Sequence, residues 1–220
     1  MFYDHCALAH VIHKGDIEIV PNEIIYDFKD LELSKKIKLY QDYFCDLLKA
    51  IAVLAYALNF NLKQKTVLRF CFVVNLLLSI DKLVSEPTRY GMDYIAYLQQ
   101  AAAVWNGETN YTKLSSNLGP CYYPAGHIWH YIPAVWLHLY TEHAEIIIKF
   151  IHFVVQSLVN CFIAKIAYIY FKGLSVVKNS GDRDAQLLAF TMLASKETRF
   201  LHAQMYNDQI MVFYLVAGIY

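Results

Sequence analysis

The chain has 220 residues, 57% of them hydrophobic and only 17% charged, with 19 basic side chains against 19 acidic ones. An average soluble domain carries about 45–50% apolar and about 25% charged residues, so both departures run toward lipid, with a very apolar soluble helical bundle as the competing class. The balanced charge argues against a nucleic-acid surface and against an acidic solvating tail.

Residues 1–36 read as a polar leader. Asp4, Asp16, Glu18, Glu23, Asp27, Asp30 and Glu32 leave no apolar core for a cleavable signal, so membrane targeting falls to an uncleaved internal helix. Ile17-Glu18-Ile19-Val20 alternates like a short strand, and Pro21 ends it. Residues 37–65 read as an amphipathic helix and a cytosolic linker. Ile37, Tyr40, Phe44, Leu47, Leu48, Ile51, Leu54 and Leu58 recur at helical spacing, and Lys35, Lys36 and Lys38 precede them.

Residues 66–220 are expected to form a membrane domain with a luminal loop at 85–126. The first span is expected at 66–84, with Lys63, Lys65 and Arg69 favouring a cytosolic start. A helix is expected at 92–105. Residues 127–140 hold Trp129, Tyr131, Trp136 and Tyr140, an interfacial mix too short for a comfortable span, so a half-inserted helix is expected. The second span is expected at 144–171, interrupted by Glu145, Lys149, His152 and Lys165; Lys172, Lys178 and Arg183 then make a cytosolic loop. Apolar segments resume at 185–194 and 210–220. Eleven residues cover about 17 Å at 1.5 Å each, well short of a core of about 30 Å, so the chain is expected to stop inside a membrane helix, as a truncated piece of a longer protein.

Five scattered cysteines (Cys6, Cys45, Cys71, Cys121, Cys161) form no CxxC pair and suggest free thiols. His127 and His130 stand at i,i+3, a spacing that suits a metal but more often reflects packing; no metal or cofactor is expected. Asn110-Tyr111-Thr112 is a glycosylation sequon in the luminal loop.

Two short stretches carry candidate chemistry. Asp93 follows the first span at the membrane surface, where a lone carboxylate can take the proton of an attacking hydroxyl; an acidic residue at a helix start is the structural alternative. Gly119-Pro120-Cys121-Tyr122-Tyr123-Pro124-Ala125-Gly126 is a rigid turn whose Tyr122 and Tyr123 can stack on sugar faces. Asp208 can bind a polar partner or cap a helix.

Taken in order, Asp93-Tyr94, Ala96-Tyr97-Leu98, Asn106-Gly107, Tyr111-Thr112-Lys113-Leu114, Gly119-Pro120 and Tyr123-Pro124-Ala125-Gly126 resemble the first luminal loop of the dolichyl-phosphate-mannose-dependent alpha-1,3-mannosyltransferases of asparagine-linked glycosylation, glycosyltransferase family 58. Ser195 and Met205-Tyr206-Asn207-Asp208 resemble that family's later luminal element. Charged positions of the family pattern fall here on Gly91, Asn117 and Gln204.

The resemblance implies an all-α, polytopic membrane protein of the endoplasmic reticulum with a C-type glycosyltransferase fold. Its donor would be dolichyl-phosphate mannose and its acceptor a dolichyl-diphosphate-linked oligosaccharide, joined with inversion. Asp93 would be the base. Tyr122, Tyr123, Asn207 and Asp208 would bind substrate, with Lys196, Arg199 and His202 meeting the leaving phosphate. A degenerate, non-catalytic membrane relative is the alternative.

Overall fold

The computed structural model describes residues 8–13, 16–21, 28–80, 93–174, 180–195, 205 and 207–219. It is mostly helical. A hairpin of β1 (Leu8–His13) and β2 (Asp16–Pro21) opens it, paired antiparallel from Leu8↔Pro21 to His13↔Asp16. The helices are α1 (Phe28–Ala57), α2 (Gln64–Ser79), α3 (Asp93–Trp105), α4 (Ala125–Tyr140), α5 (Ala144–Leu174), α6 (Ser180–Leu193) and α7 (Asp208–Ile219). Between α3 and α4 lie a 3₁₀ turn at Tyr111–Lys113 and the two-residue strands β3 (Ser115–Ser116) and β4 (Gly119–Pro120).

Local chemistry sets several of these ends. At the end of α3, Glu108 N–H reaches Ala103 O at 3.0 Å and Gly107 N–H reaches Val104 O at 3.0 Å, with Gly107 at φ +96°. That is a Schellman closure, which needs a left-handed residue and so favours glycine. Asn59, at φ +57°, closes α1 in the same way, with Phe60 N–H on Ala55 O at 2.8 Å.

The elements differ from expectation mainly at their ends. The first long helix begins at Phe28, nine residues earlier than the periodicity from Ile37 indicates, so helix reaches into the polar leader. The strand expected at 17–20 is present and has a partner, β1, that its sequence did not announce. At sixteen residues, α2 covers about 24 Å at 1.5 Å each. Residues 81–84, the rest of the span expected at 66–84, lie outside the described residues. Among the described residues, α5 alone is long and apolar enough to cross a membrane; its 31 residues reach about 46 Å.

Two apolar cores share α5. The first joins Tyr94, Tyr97, Leu98 and Ala101 of α3, Leu114, Cys121, Tyr131 and Val135, the Ala144–Ile148 end of α5, and Met205. The second joins Cys45 and Leu48 of α1, Val67 and Cys71 of α2, Ala164 and Tyr168 of α5, and Ala185, Ala189 and Leu193 of α6. Between them the buried side of α5 is polar: Glu145, Lys149, His152, Gln156, Ser157 and Asn160. Of the residues that interrupt this segment in sequence, Glu145, Lys149 and His152 are thus turned inward, while Lys165 is only half-buried. Lys149 Nζ meets Glu145 Oε1 at 2.7 Å, and neither side chain is more than 5% exposed.

Across from this stripe stands Asn75 of α2. Its Nδ2 donates to Ser157 Oγ at 2.9 Å, and Asn160 Nδ2 donates to its Oδ1 at 3.3 Å. Cys161 Sγ donates to Leu68 O at 3.4 Å. Residue 68 therefore pairs with 161 and residue 75 with 157, so α2 and α5 run antiparallel.

The contact between α5 and α6 is close. A Cβ placed on Gly181 would overlap the backbone carbonyl of Phe171, and backbone cannot move aside as a flexible side chain can. Gly181→Ala is therefore expected to force the two helices apart and to cost about 1–3 kcal/mol. A lower thermal unfolding midpoint of the detergent-solubilised variant checks this, and an unchanged midpoint would refute it.

Candidate functional site

Asp93 is the first residue of α3, and Tyr97 lies one turn further along the same face. Tyr97 Oη donates to Asp93 Oδ2 at 3.2 Å. The turn after β4 delivers Tyr123, whose hydroxyl lies 3.4 Å from that of Tyr97. His127, one turn into α4 from Tyr123, packs edge-on against the Tyr97 ring, with centroids 4.3 Å apart.

The fifth member arrives from 110 positions away. Asn207 Oδ1 stands 3.2 Å from Tyr97 Oη, and its Nδ2 meets His127 Nδ1 at 3.2 Å. Main-chain geometry makes this approach possible. Met205 is fully buried at φ +56°, a left-handed conformation uncommon for a residue with a side chain. Tyr131 Oη holds it by donating to Met205 O at 2.8 Å. The Asn207 carbonyl then accepts from Ile210 N–H and Met211 N–H to start α7, which leaves its side chain to the site.

The Tyr97 hydroxyl carries one hydrogen but faces three acceptor oxygens, on Asp93, Tyr123 and Asn207. It can donate to only one of them at a time. Burial first, then the Tyr123 hydrogen bond and the Asp93 charge, raise the Tyr97 phenol's proton affinity, so it stays protonated. Burial, with Asp208, Tyr123 and Asp93 adding to it, does the same for Tyr131.

His127 behaves in the opposite sense. Burial, with His130 beside it, pushes its imidazole down to about 4, so it is neutral at pH 7. With Nδ1 accepting from Asn207, the ring carries its hydrogen on Nε2. That atom is buried and has no hydrogen-bond partner among the described residues. The site thus holds a carboxylate acceptor at Asp93 and, at His127, a buried N–H donor with no partner among the described residues.

Of the residues expected from sequence, Asp93, Tyr123 and Asn207 come together. Tyr122 does not join them: it is 85% exposed at the turn. Asp208 is exposed in the first turn of α7 and bears on the site through its charge near Tyr131. Lys196, Arg199 and His202 lie outside the described residues. Sequence reasoning did not single out Tyr97 or treat His127 as a site residue. The available signal was spacing, since each stands four positions after a candidate and shares its side of the structure. Among the described residues no three His, Cys, Asp or Glu side chains gather as a metal site would need.

A stability consequence follows from His127. The unfolded imidazole takes up its proton near pH 6.5, the folded one only near 4. Its contribution is complete above about pH 6.5 and is lost as pH falls toward 4, because the unfolded chain then binds the extra proton. His127→Asn is expected to flatten the fall in unfolding midpoint over that interval, measured on the detergent-solubilised chain. An unaltered profile would refute this.

The family model described as "ALG3 protein" matches residues 69–220. One curated relative, from Dictyostelium discoideum, is named "Probable Dol-P-Man:Man(5)GlcNAc(2)-PP-Dol alpha-1,3-mannosyltransferase"; it is 38% identical over 53 residues, 24% of this chain and 12% of the relative. Another, from Kluyveromyces lactis, is named "Dol-P-Man:Man(5)GlcNAc(2)-PP-Dol alpha-1,3-mannosyltransferase"; it is 39% identical over 57 residues, 26% of this chain and 12% of the relative. The matched segments therefore span only about an eighth of either relative's length. No solved structure matches. The family match takes in α2 from Arg69 onward, the polar stripe of α5 and every residue of the site, and on it the chain belongs to the ALG3 protein family.

Proposed function

We propose that the chain carries the acceptor side of a mannosyl-transfer site. The reaction would move mannose from dolichyl-phosphate mannose to a dolichyl-diphosphate-linked oligomannose, forming an alpha-1,3 bond with inversion during N-glycan precursor assembly. The observation that carries this reading is the meeting of Asp93 with Asn207 through one hydroxyl, that of Tyr97. Two segments that resemble separate luminal elements of such transferases converge there.

In the proposed reaction the acceptor hydroxyl attacks C1 of the donor mannose. The bond from C1 to the phosphate oxygen breaks, dolichyl phosphate leaves as a monoester anion, and Asp93 takes the hydroxyl proton. Tyr97 orients Asp93 by donating to Oδ2. His127 holds the Asn207 amide through Nδ1, which sets the Asn207 oxygen against Tyr97. Tyr122, exposed on the turn, offers its ring to a sugar face, with Tyr123 inside the cluster. Lys196, Arg199 and His202 are proposed to meet the phosphate.

The placement proposed is the endoplasmic-reticulum membrane, multi-pass, in a C-type glycosyltransferase fold. The antiparallel packing of α2 on α5 supports one topology. It brings Lys63, Lys65 and Arg69 to the same end as Lys172, as expected of a cytosolic side. The opposite end of α5, at Ala144, shares a core with α3 and α4, which puts Asp93 on the luminal side in this topology.

In microsomes lacking the endogenous transferase, the chain is expected to extend the lipid-linked oligomannose by one mannose, read by mass analysis of the extracted lipid. Asp93→Asn is expected to lower the rate by about 10²–10⁴, the usual worth of a positioned base. Tyr97→Phe, which keeps the carboxylate and removes its orienting hydrogen bond, is expected to fall between the two. Equal rates for Asp93→Asn and the unaltered chain would remove Asp93 from catalysis and favour a non-catalytic relative.

A further inference from the structure

The turn that follows α3 is not used by the proposed reaction, yet it presents a complete modification motif. Asn110-Tyr111-Thr112 is the one Asn-x-Ser/Thr sequence in the chain whose middle residue is not proline. Asn110 and Thr112 are both exposed. Asn110 lies just before the 3₁₀ turn, and its Oδ1 accepts from Thr112 N–H at 3.1 Å and from Thr112 Oγ1 at 2.8 Å. The Asn110 backbone N–H is held in turn by Glu108 Oε1 at 2.7 Å. Both hydrogen bonds to the side chain use the oxygen. No acceptor engages Asn110 Nδ2 among the described residues.

We propose that Asn110 is an asparagine-linked glycosylation site, an inference that rests on the luminal reading of the loop. The donor class is a lipid-diphosphate-linked oligosaccharide, and the agent is the transferase that reads sequons in the lumen. Asn110 Nδ2 forms the bond to C1 of the reducing-end sugar, and the bond from C1 to the diphosphate oxygen breaks. Lipid diphosphate leaves, and one Nδ2 proton passes to the transferase.

The product fits the fold. Linkage replaces one hydrogen on Nδ2 and leaves Oδ1 an amide oxygen, so both bonds from Thr112 survive. The 3₁₀ turn does not have to open to carry the glycan. Its anchor is the neighbouring Tyr111, whose hydroxyl lies 3.2 Å from Cys121 Sγ, and not the asparagine nitrogen.

The test is synthesis of the full chain in the presence of sealed endoplasmic-reticulum microsomes, followed by gel mobility with and without endoglycosidase H. One glycan's retardation, reversed by the enzyme, is expected. Asn110→Gln and Thr112→Ala should abolish it. Thr112→Ser, which keeps a hydroxyl at the required position, should retain it and so separates sequon reading from loss of folding.

Trypsin added to the sealed vesicles reports on the loop independently, because Lys113 is exposed beside the sequon. A chain protected at Lys113 but never retarded would overturn the proposal while leaving the topology standing. Cleavage at Lys113 in intact vesicles would overturn both. Retardation that persists in Asn110→Gln would also overturn it.

Discussion

The fold depends on a constraint in α5: a helix long and apolar enough for a bilayer carries Glu145, Lys149, His152, Gln156, Ser157 and Asn160 along one buried side. Each ionised group at a bilayer centre costs about 2.5–3.5 kcal/mol on insertion scales, so such a side must face protein. Two devices meet the demand. Lys149 and Glu145 neutralise each other at i,i+4 spacing within the helix. Further along, Asn75 of α2 crosses over to Ser157 and Asn160. In lipid, where apolar side chains gain little by leaving tails for one another, such polar contacts and close packing hold helices together. The near contact of Gly181 with the Phe171 backbone supplies the close packing on the α6 side.

Because α5 contributes its first turns to one core and its last turns to the other, the unit holding the site is fixed to α1, α2 and α6 through a shared element. Tyr94 illustrates the join. Its hydroxyl lies 3.0 Å from His138 Nε2, and after burial the Glu145 charge is the next cause of its raised proton affinity. Tyr94, in the first core, thus lies within electrostatic reach of the start of the polar stripe at Glu145.

How much of this was legible in the sequence varied with the kind of signal. Long helices announced themselves through apolar content, and α3, α4 and α5 lie close to the segments expected, while α6 begins at Ser180, five residues before its apolar run at 185–194. Helix ends were less legible, because the polar residues before Ile37 carry no apolar stripe although the backbone there is helical. β1 was silent because Leu8–His13 is read as strand only once its partner is known. At the site, motif order pointed to Asp93, Tyr123 and Asn207. Tyr97 and His127 were harder to see. A tyrosine or histidine at i+4 on an apolar helix reads as core, and both are indeed in the core; their role comes from which polar atoms meet there. The sequence also gave Tyr122 and Tyr123 equal standing, while the turn before α4 sends one outward and the other in.

The arrival of Asn207 shows how the site is held. A left-handed Met205 is strained by about 1–3 kcal/mol, a cost that persists only where surroundings impose it. Here they do: the Met205 side chain is fully buried in the first core and its carbonyl accepts the Tyr131 hydrogen. Tyr131 comes from the same helix as His127, so α4 grips both the strained residue and the amide two positions on. The backbone of Asn207 meanwhile begins α7, which packs on α5. An apolar helix on one side and a buried phenol on the other therefore fix the amide that bridges Tyr97 and His127. Precision at the two nitrogens and four oxygens of the hydrogen-bonded cluster is thus supported by packing rather than by the hydrogen bonds alone.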